Sequence, residues 1–159
     1  TNKMKNIYLF VGVLLFSLSS YAQENSGSGT GAAPLSKGQK QLNFGAGFSG
    51  HGIPAYVGVD FAVHNDITVG PVVKVVFDDD IRLGFLGRGD YHFNRIIGIP
   101  SNWDFYAGAF VGVKLIDGAD LDLGLQVGGR YYWSDRWAIN LEFGGGTGYS
   151  SSLGVSLKF

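Results

Sequence analysis

From Lys40 to Phe159 apolar and polar residues alternate with a period of two, and the alternation breaks only at short clusters of turn residues. Leu42, Phe44, Ala46 and Phe48 share one face, and Ala55, Val57, Val59, Phe61 and Val63 resume it after His51-Gly-Ile-Pro54. Ile67, Val69, Pro71, Val73, Val75 and Phe77 follow His64-Asn-Asp66, and Ile81 to Phe93 follow Asp78-Asp-Asp80. The same spacing recurs over Trp103–Leu115, Leu121–Trp133, Trp137–Gly145 and Leu153–Phe159. A period of two is that of a strand whose two faces meet different surroundings. It predicts eight strands joined in sequence, with no amphipathic helix among them.

The opposite face carries charge of both signs. It reads Asp60, Lys74, Asp78, Arg82, Arg88, Asp90, His92, Asp104, Tyr106, Lys114, Asp122, Gln126, Arg130, Tyr132, Asn140, Glu142, Ser156 and Lys158, interleaved with glycine. A soluble barrel would turn the apolar face inward, and a membrane barrel would turn it to lipid. Glycine favours the second arrangement, because long Arg, Lys and Tyr side chains crossing a narrow lumen need bare backbone opposite them. Asp60, Lys74, Arg88, Asp90, Lys114, Arg130, Glu142 and Lys158 then form a candidate lumen charge network, near enough to balance that its members can pair. The strand lengths suit a span of roughly 9–11 tilted residues.

The amino end supplies an address. Lys3 and Lys5 flank Met4, Ile7 to Leu18 is almost wholly apolar, and Ser20-Tyr-Ala22 offers small residues for cleavage. Residues 1–22 are therefore expected to be a secretory signal peptide with its upstream residues, and the apolar run is too short for a spanning helix. Residues 23–39, rich in Gly and Ser, are expected to form a flexible leader outside the fold, and residues 40–159 the barrel. With no cysteine in the chain, disulfides and a lipidated cysteine are excluded. Without Lys3 and Lys5, ten basic groups face thirteen acidic ones, a formal charge of about −3 that argues against a nucleic-acid partner.

Aromatic placement gives direction. With the N-terminus in the periplasm, Tyr91, Phe93, Trp103, Phe105, Tyr131, Trp133 and Trp137, together with Phe159, fall at the periplasmic rim as an interfacial girdle. An even strand count returns the C-terminus to the same side.

On these features the chain resembles the small eight-stranded outer-membrane β-barrel proteins of the outer-membrane protein A/X and opacity-protein type. The resemblance covers Lys40 to Phe159. It rests on the signal peptide, the alternating strands, the rim aromatics and a final strand ending in Phe159. It implies an all-β, eight-stranded antiparallel up-and-down transmembrane barrel with both termini periplasmic, in the outer membrane of a Gram-negative bacterium. Its partners would be outer-membrane lipids and lipopolysaccharide. It further implies that Leu153, Val155, Leu157 and Phe159 serve as the signal read by the barrel-assembly machinery. Short surface loops weaken an adhesin reading.

Candidate chemistry adds little. Gly45-Ala-Gly-Phe-Ser-Gly50 matches a dinucleotide fingerprint in letters only, since no helix follows it. Ser49, His51, Ser150 and Ser151 sit where an outer-leaflet lipid enzyme would place its nucleophile and base, but no supporting acid lies at a recognisable spacing. His64 and His92 suit a turn and a lumen hydrogen bond. Asp78, Asp79, Asp80, Asp117, Asp120 and Asp122 read as solvated turn residues rather than a cation loop. The expectation is a non-enzymatic barrel without cofactor or metal, in a structural or surface-interaction role. The alternatives are a narrow porin-like channel for small solutes, an outer-leaflet lipid-modifying enzyme, and a secreted soluble barrel that binds a hydrophobic ligand.

Overall fold

The computed structural model describes residues 31–50, 52–115, 117–146 and 151–159. The expected signal peptide, the start of the leader, His51 and the turn through Ser150 lie outside the described residues. Eight strands follow one another along the chain: β1 (Lys40–Phe48), β2 (Ile53–His64), β3 (Ile67–Phe77), β4 (Ile81–His92), β5 (Trp103–Leu115), β6 (Ala119–Tyr132), β7 (Trp137–Gly146) and β8 (Ser151–Lys158). Each pairs antiparallel with its sequence neighbours, and β1 pairs with β8 to close the barrel. The seam runs from Gln41 opposite Lys158 to Phe48 opposite Ser151. Closure removes the free edge that an open sheet would present.

The period of two decides which side each residue occupies. Outward positions carry Phe44, Val57, Val73, Phe85, Val111, Leu123, Leu125, Ile139 and Leu153, all exposed, and Leu125 reaches 69%. Inward positions carry most of the buried polar and charged groups. The apolar face is therefore on the outside, the inverse of a soluble barrel, whose large aliphatic side chains would be its most buried.

Both described chain ends lie at one end of the barrel, here termed proximal, with the β2–β3, β4–β5 and β6–β7 connections. Asp78–Asp80 and the β5–β6 connection lie at the other, distal end. That second turn carries Asp117 in the left-handed region at φ 48°, a conformation Asp tolerates better than most residues.

Three differences from the sequence expectation stand out. The β4–β5 connection contains a single helical turn, α1 (Asn94–Ile97), ended by Gly98 in the left-handed conformation, whereas an uninterrupted set of strands and turns was expected. The inward face is not uniformly polar, because Val72, Val76, Leu86 and Phe110 are buried within it. Finally, residues 31–39, expected to lie outside the fold, pack on the proximal end. There Leu35 is 2% exposed, and the Gly38 amide donates to the Ala62 carbonyl at 2.8 Å.

Candidate functional site: the lumen

Strand register brings residues from distant parts of the chain to one level of the lumen. Asp104 on β5 lies opposite Arg130 on β6, and Arg130 lies opposite Asn140 on β7. Arg130 donates from Nη1 to Asp104 beside it at 3.0 Å and, across the barrel, from Nη2 to Asp60 at 2.7 Å. Its guanidinium also lies 4.3 Å from the Tyr106 ring centroid. Arg88 donates to Asp90 at 2.7 Å and to Glu142 at 2.8 Å, and the Tyr106 hydroxyl donates to Glu142 at 2.9 Å. Tyr106 thus lies between two guanidinium groups, with Arg88 5.7 Å from its centroid. The ring quadrupole of Tyr106 attracts both arginines while carboxylates neutralise their charge.

Polar side chains extend the network to the seam. Asn43 donates to Asp60 at 2.8 Å, Ser156 donates to Asn43 at 2.7 Å, and Asn140 donates to Ser156 at 2.8 Å. The Tyr56 hydroxyl completes that line by donating to Asn140 at 2.8 Å. Gln126 donates to Asp90 at 2.8 Å, Gln41 donates to Asn43 at 2.9 Å, and the Tyr132 hydroxyl bonds Gln41. Near-complete pairing is what permits such groups to be buried, because each ion left without a partner would forfeit its solvation.

Glycine makes the room. A Cβ at Gly128 would overlap the Tyr106 ring, and one at Gly154 would crowd the Tyr56 hydroxyl and Asn140. Gly128 pairs with Tyr106 and Gly154 with Asn140 on the adjacent strand, so the bare backbone lies beside these side chains rather than opposite them across the lumen, the position expected from the alternating pattern.

A hydroxyl, an imidazole and a carboxylate also line up at the proximal end. Thr68 Oγ1 and His92 Nε2 are 3.0 Å apart, and His92 Nδ1 and Asp104 Oδ1 are 2.7 Å apart. The carboxylate only accepts, so Nδ1 carries the proton, and in the neutral ring Nε2 accepts from the Thr68 hydroxyl. The order of groups is that of a nucleophile relay. Thr68, His92 and Asp104 are all buried, so no substrate reaches the hydroxyl in this conformation. The line orients Asp104 toward Arg130. It is invisible in the sequence, because it joins three strands through their register.

Among the eight charged positions expected in the lumen network, Asp60, Arg88, Asp90, Arg130 and Glu142 come together here, and Asp104 joins them. Lys74 lies further toward the distal end and interacts electrostatically with Asp122 and Glu142. Lys114 pairs across strands with Gly84 and Asp120, beyond the network. Lys158 sits at the proximal rim, 4.2 Å from the Tyr132 ring centroid. Beginning midway along the strands, the lumen is also crossed by Val72, Leu86 and Phe110, which pack together with Tyr56 against them, and Lys74 and Asp122 are buried further toward the distal end. A cavity of about 20 Å³ lies at the junction of the two halves, bordered by those apolar groups and by Lys74, Arg88 and Gln126. That is room for about one water molecule.

The expected girdle residues form ring contacts around the proximal rim. Tyr91 and Phe93 meet edge to face at 5.1 Å, Trp103 lies 4.8 Å from Tyr131 and 6.0 Å from Phe105, and Trp133 stacks on Trp137 at 6.4 Å. Leu153, Val155, Leu157 and Phe159 fall on the outward side at the seam, with Leu153 and Phe159 exposed. At the distal end Ser49 donates to the Gly52 carbonyl at 3.0 Å, and Ser151 begins β8. His51 and Ser150 are outside the described residues. Asp78 pairs with Arg82 at 2.7 Å. Among the described residues no group of three or more His, Asp or Glu is placed to hold a metal ion.

No protein-family model and no curated protein matches the chain. Solved structures do. A barrel described under "De novo design of transmembrane beta-barrels" superimposes with a TM-score of 0.66 at 13% identity, covering 79% of this chain and 98% of its own. The N-terminal β-barrel domain of Pseudomonas aeruginosa OprF gives 0.61 at 11% identity, covering 79% and 100%. Neisserial surface protein A gives 0.52 at 14% identity, covering 76% and 94%. At these identities the likeness is one of fold, and the fold of this chain is that of the small eight-stranded outer-membrane barrel proteins.

Proposed function

We propose that this chain is an integral outer-membrane protein with a structural or surface-interaction role, its lumen closed by paired charges rather than open to solutes. The observation that carries this reading is the sidedness of the wall, with large apolar side chains outside and an ion-paired network inside. In water the exposed band would be an aggregation hazard; in a bilayer it is the surface that lipid solvates. The ring-stacked aromatics at one rim support placing that rim at a membrane interface.

In this reading residues 1–22 are a cleaved export signal, the proximal end faces the periplasm, and the partners are outer-membrane lipids and lipopolysaccharide. The β8 row Leu153, Val155, Leu157 and Phe159 presents the assembly signal. The reading includes no catalysis, since the hydroxyl–imidazole–carboxylate line is enclosed and acts as a support for Arg130. Eight strands filled by side chains leave no wide conduit.

The absence of cysteine makes the test clean. Single cysteines replacing Val57, Val73, Leu123, Leu125 and Ile139 are spin-labelled in vesicles and challenged with lipid-borne and water-soluble relaxation agents. Lipid contact at all five is expected. Shielding of these five, with labels at Asp60 and Lys114 open to bulk water, would overturn the proposal.

A further inference from the structure

A part of the chain whose composition disguised it packs against the proximal end of the barrel. Residues 31–39 run between two anchors. At the first, Asn94 Nδ2 lies 3.5 Å from the Ala32 carbonyl. A Cβ at Gly31, whose φ is 67°, would press on the Asn94 carbonyl and the Gly98 Cα. At the second, the Gly38 amide donates to the Ala62 carbonyl at 2.8 Å, and the Ala62 amide donates to the Gln39 carbonyl at 3.0 Å. The Lys37 amide donates to Asn65 Oδ1 at 3.0 Å.

Between these anchors Leu35 is 2% exposed and Ala33 9%, while Ser36 and Lys37 point to solvent. An apolar side chain is hidden there although the wall around the mouth turns its own apolar face outward. The anchors flank one sector of the lumen. Ala62 pairs with Thr68 across β2 and β3, Thr68 bonds His92, and Asn94 follows His92 by two residues.

We propose that the proximal mouth is a docking site for an extended peptide, and that residues 31–39 occupy it in cis with Leu35 as the stopper. Most of the contacts run through main-chain groups, as in strand-like peptide recognition, so side-chain selectivity falls on Leu35, Ala33 and Gly31. Tethering keeps the segment at an effective concentration of order millimolar, which holds a weak ligand in place. Displacing it opens the proximal end of the polar network to water. This inference requires the barrel but not the bilayer, so its failure and that of the membrane reading are separable.

The test uses single-cysteine variants of the full chain folded in detergent micelles and treated with a water-soluble maleimide. Leu35→Cys is expected to react about 100-fold more slowly than Ser36→Cys, because it must wait for the segment to lift. Thr68→Cys is expected to be unreactive in the full chain and to become reactive when residues 31–37 are deleted. Should that deletion prevent folding, Leu35→Asp releases the same stopper with the chain intact, and Thr68→Cys is expected to react there. Equal rates for Leu35→Cys and Ser36→Cys overturn the proposal. So does a Thr68→Cys that stays unreactive in a folded barrel after release, since the rim alone would then make the seal.

Discussion

In the proximal half of the lumen Arg130 is held by Asp60 and Asp104 and lies against Tyr106, whereas in the distal half Val72, Leu86 and Phe110 meet one another directly. Both halves fill the same small cross-section. The first does so with ions whose desolvation is offset only while every partner is present, and the second largely by contact between apolar groups, with Lys74 and Asp122 buried beyond them. The first is specific and brittle, the second tolerant of any side chain of similar volume.

The largest expected effect breaks the proximal half. Arg130→Ala leaves Asp60 and Asp104 buried without their cation, a loss of about 3–5 kcal/mol when burial is complete. Denaturant unfolding of the vesicle-inserted protein measures it. Arg130→Lys should recover only part, since one ammonium does not reproduce two donors aimed at one carboxylate beside it and one across the lumen. A full recovery would show that net charge, rather than the fork of donors, closes this half.

Phe110→Ala is the matching cut in the distal half. It removes a buried ring from the Val72–Leu86 contact and should cost about 3 kcal/mol, the lower part of the range for Phe truncations. Phe110→Leu should cost under about 1.5 kcal/mol, because apolar volume is largely kept. The contrast lies in the conservative swaps: tolerated at Phe110, poorly tolerated at Arg130. If Phe110→Leu is as damaging as Phe110→Ala, the distal half is as demanding as the proximal one and the comparison fails. Gly128→Ala lies between the halves in kind, for it overpacks the network without removing a charge. Its Cβ would overlap the Tyr106 ring, and a cost of about 1–3 kcal/mol is expected from the same unfolding measurement.

The sequence made one half of this picture legible and hid the other. Outward residues such as Val73, Leu125 and Ile139 announce themselves, because a period of two in apolar residues survives whatever the strands pair with. Lumen ions are legible for the same reason, since Asp60, Arg88 and Arg130 occupy the alternate positions. Which ions pair is not legible, because Arg130 and Asp60 are 70 residues apart and meet only through register and closure. Val72, Leu86 and Phe110 were hidden differently. Each adjoins outward apolar neighbours, so an inward apolar residue looks like a thickening of the same run. The seal by Leu35 was masked by composition, because a Gly/Ser-rich segment with one leucine carries no periodicity. Helix α1 is a single turn, too short to show any.

The smallest expected effect compares two arginines on one strand. Arg82, the second residue of β4, lies at the distal rim and donates to Asp78 at 2.7 Å, while Arg88, six residues further on, donates to Asp90 at the same distance. Distance therefore does not separate them. Burial does: the Asp78 side chain is 44% exposed, and that of Asp90 is 1% exposed. Water screens the first pair and leaves its ions solvated when it breaks, so Arg82→Gln should change stability by no more than about 0.5 kcal/mol. Raising salt to about 1 M, where the Debye length is about 3 Å, should erase even that difference. Arg88→Gln should instead keep its penalty at high salt, because the cost lies in Asp90 and Glu142 stranded away from water. A salt-sensitive loss at Arg88 would mean that water reaches the proximal network, and the contrast between a sealed ionic half and an exposed rim would have to be abandoned.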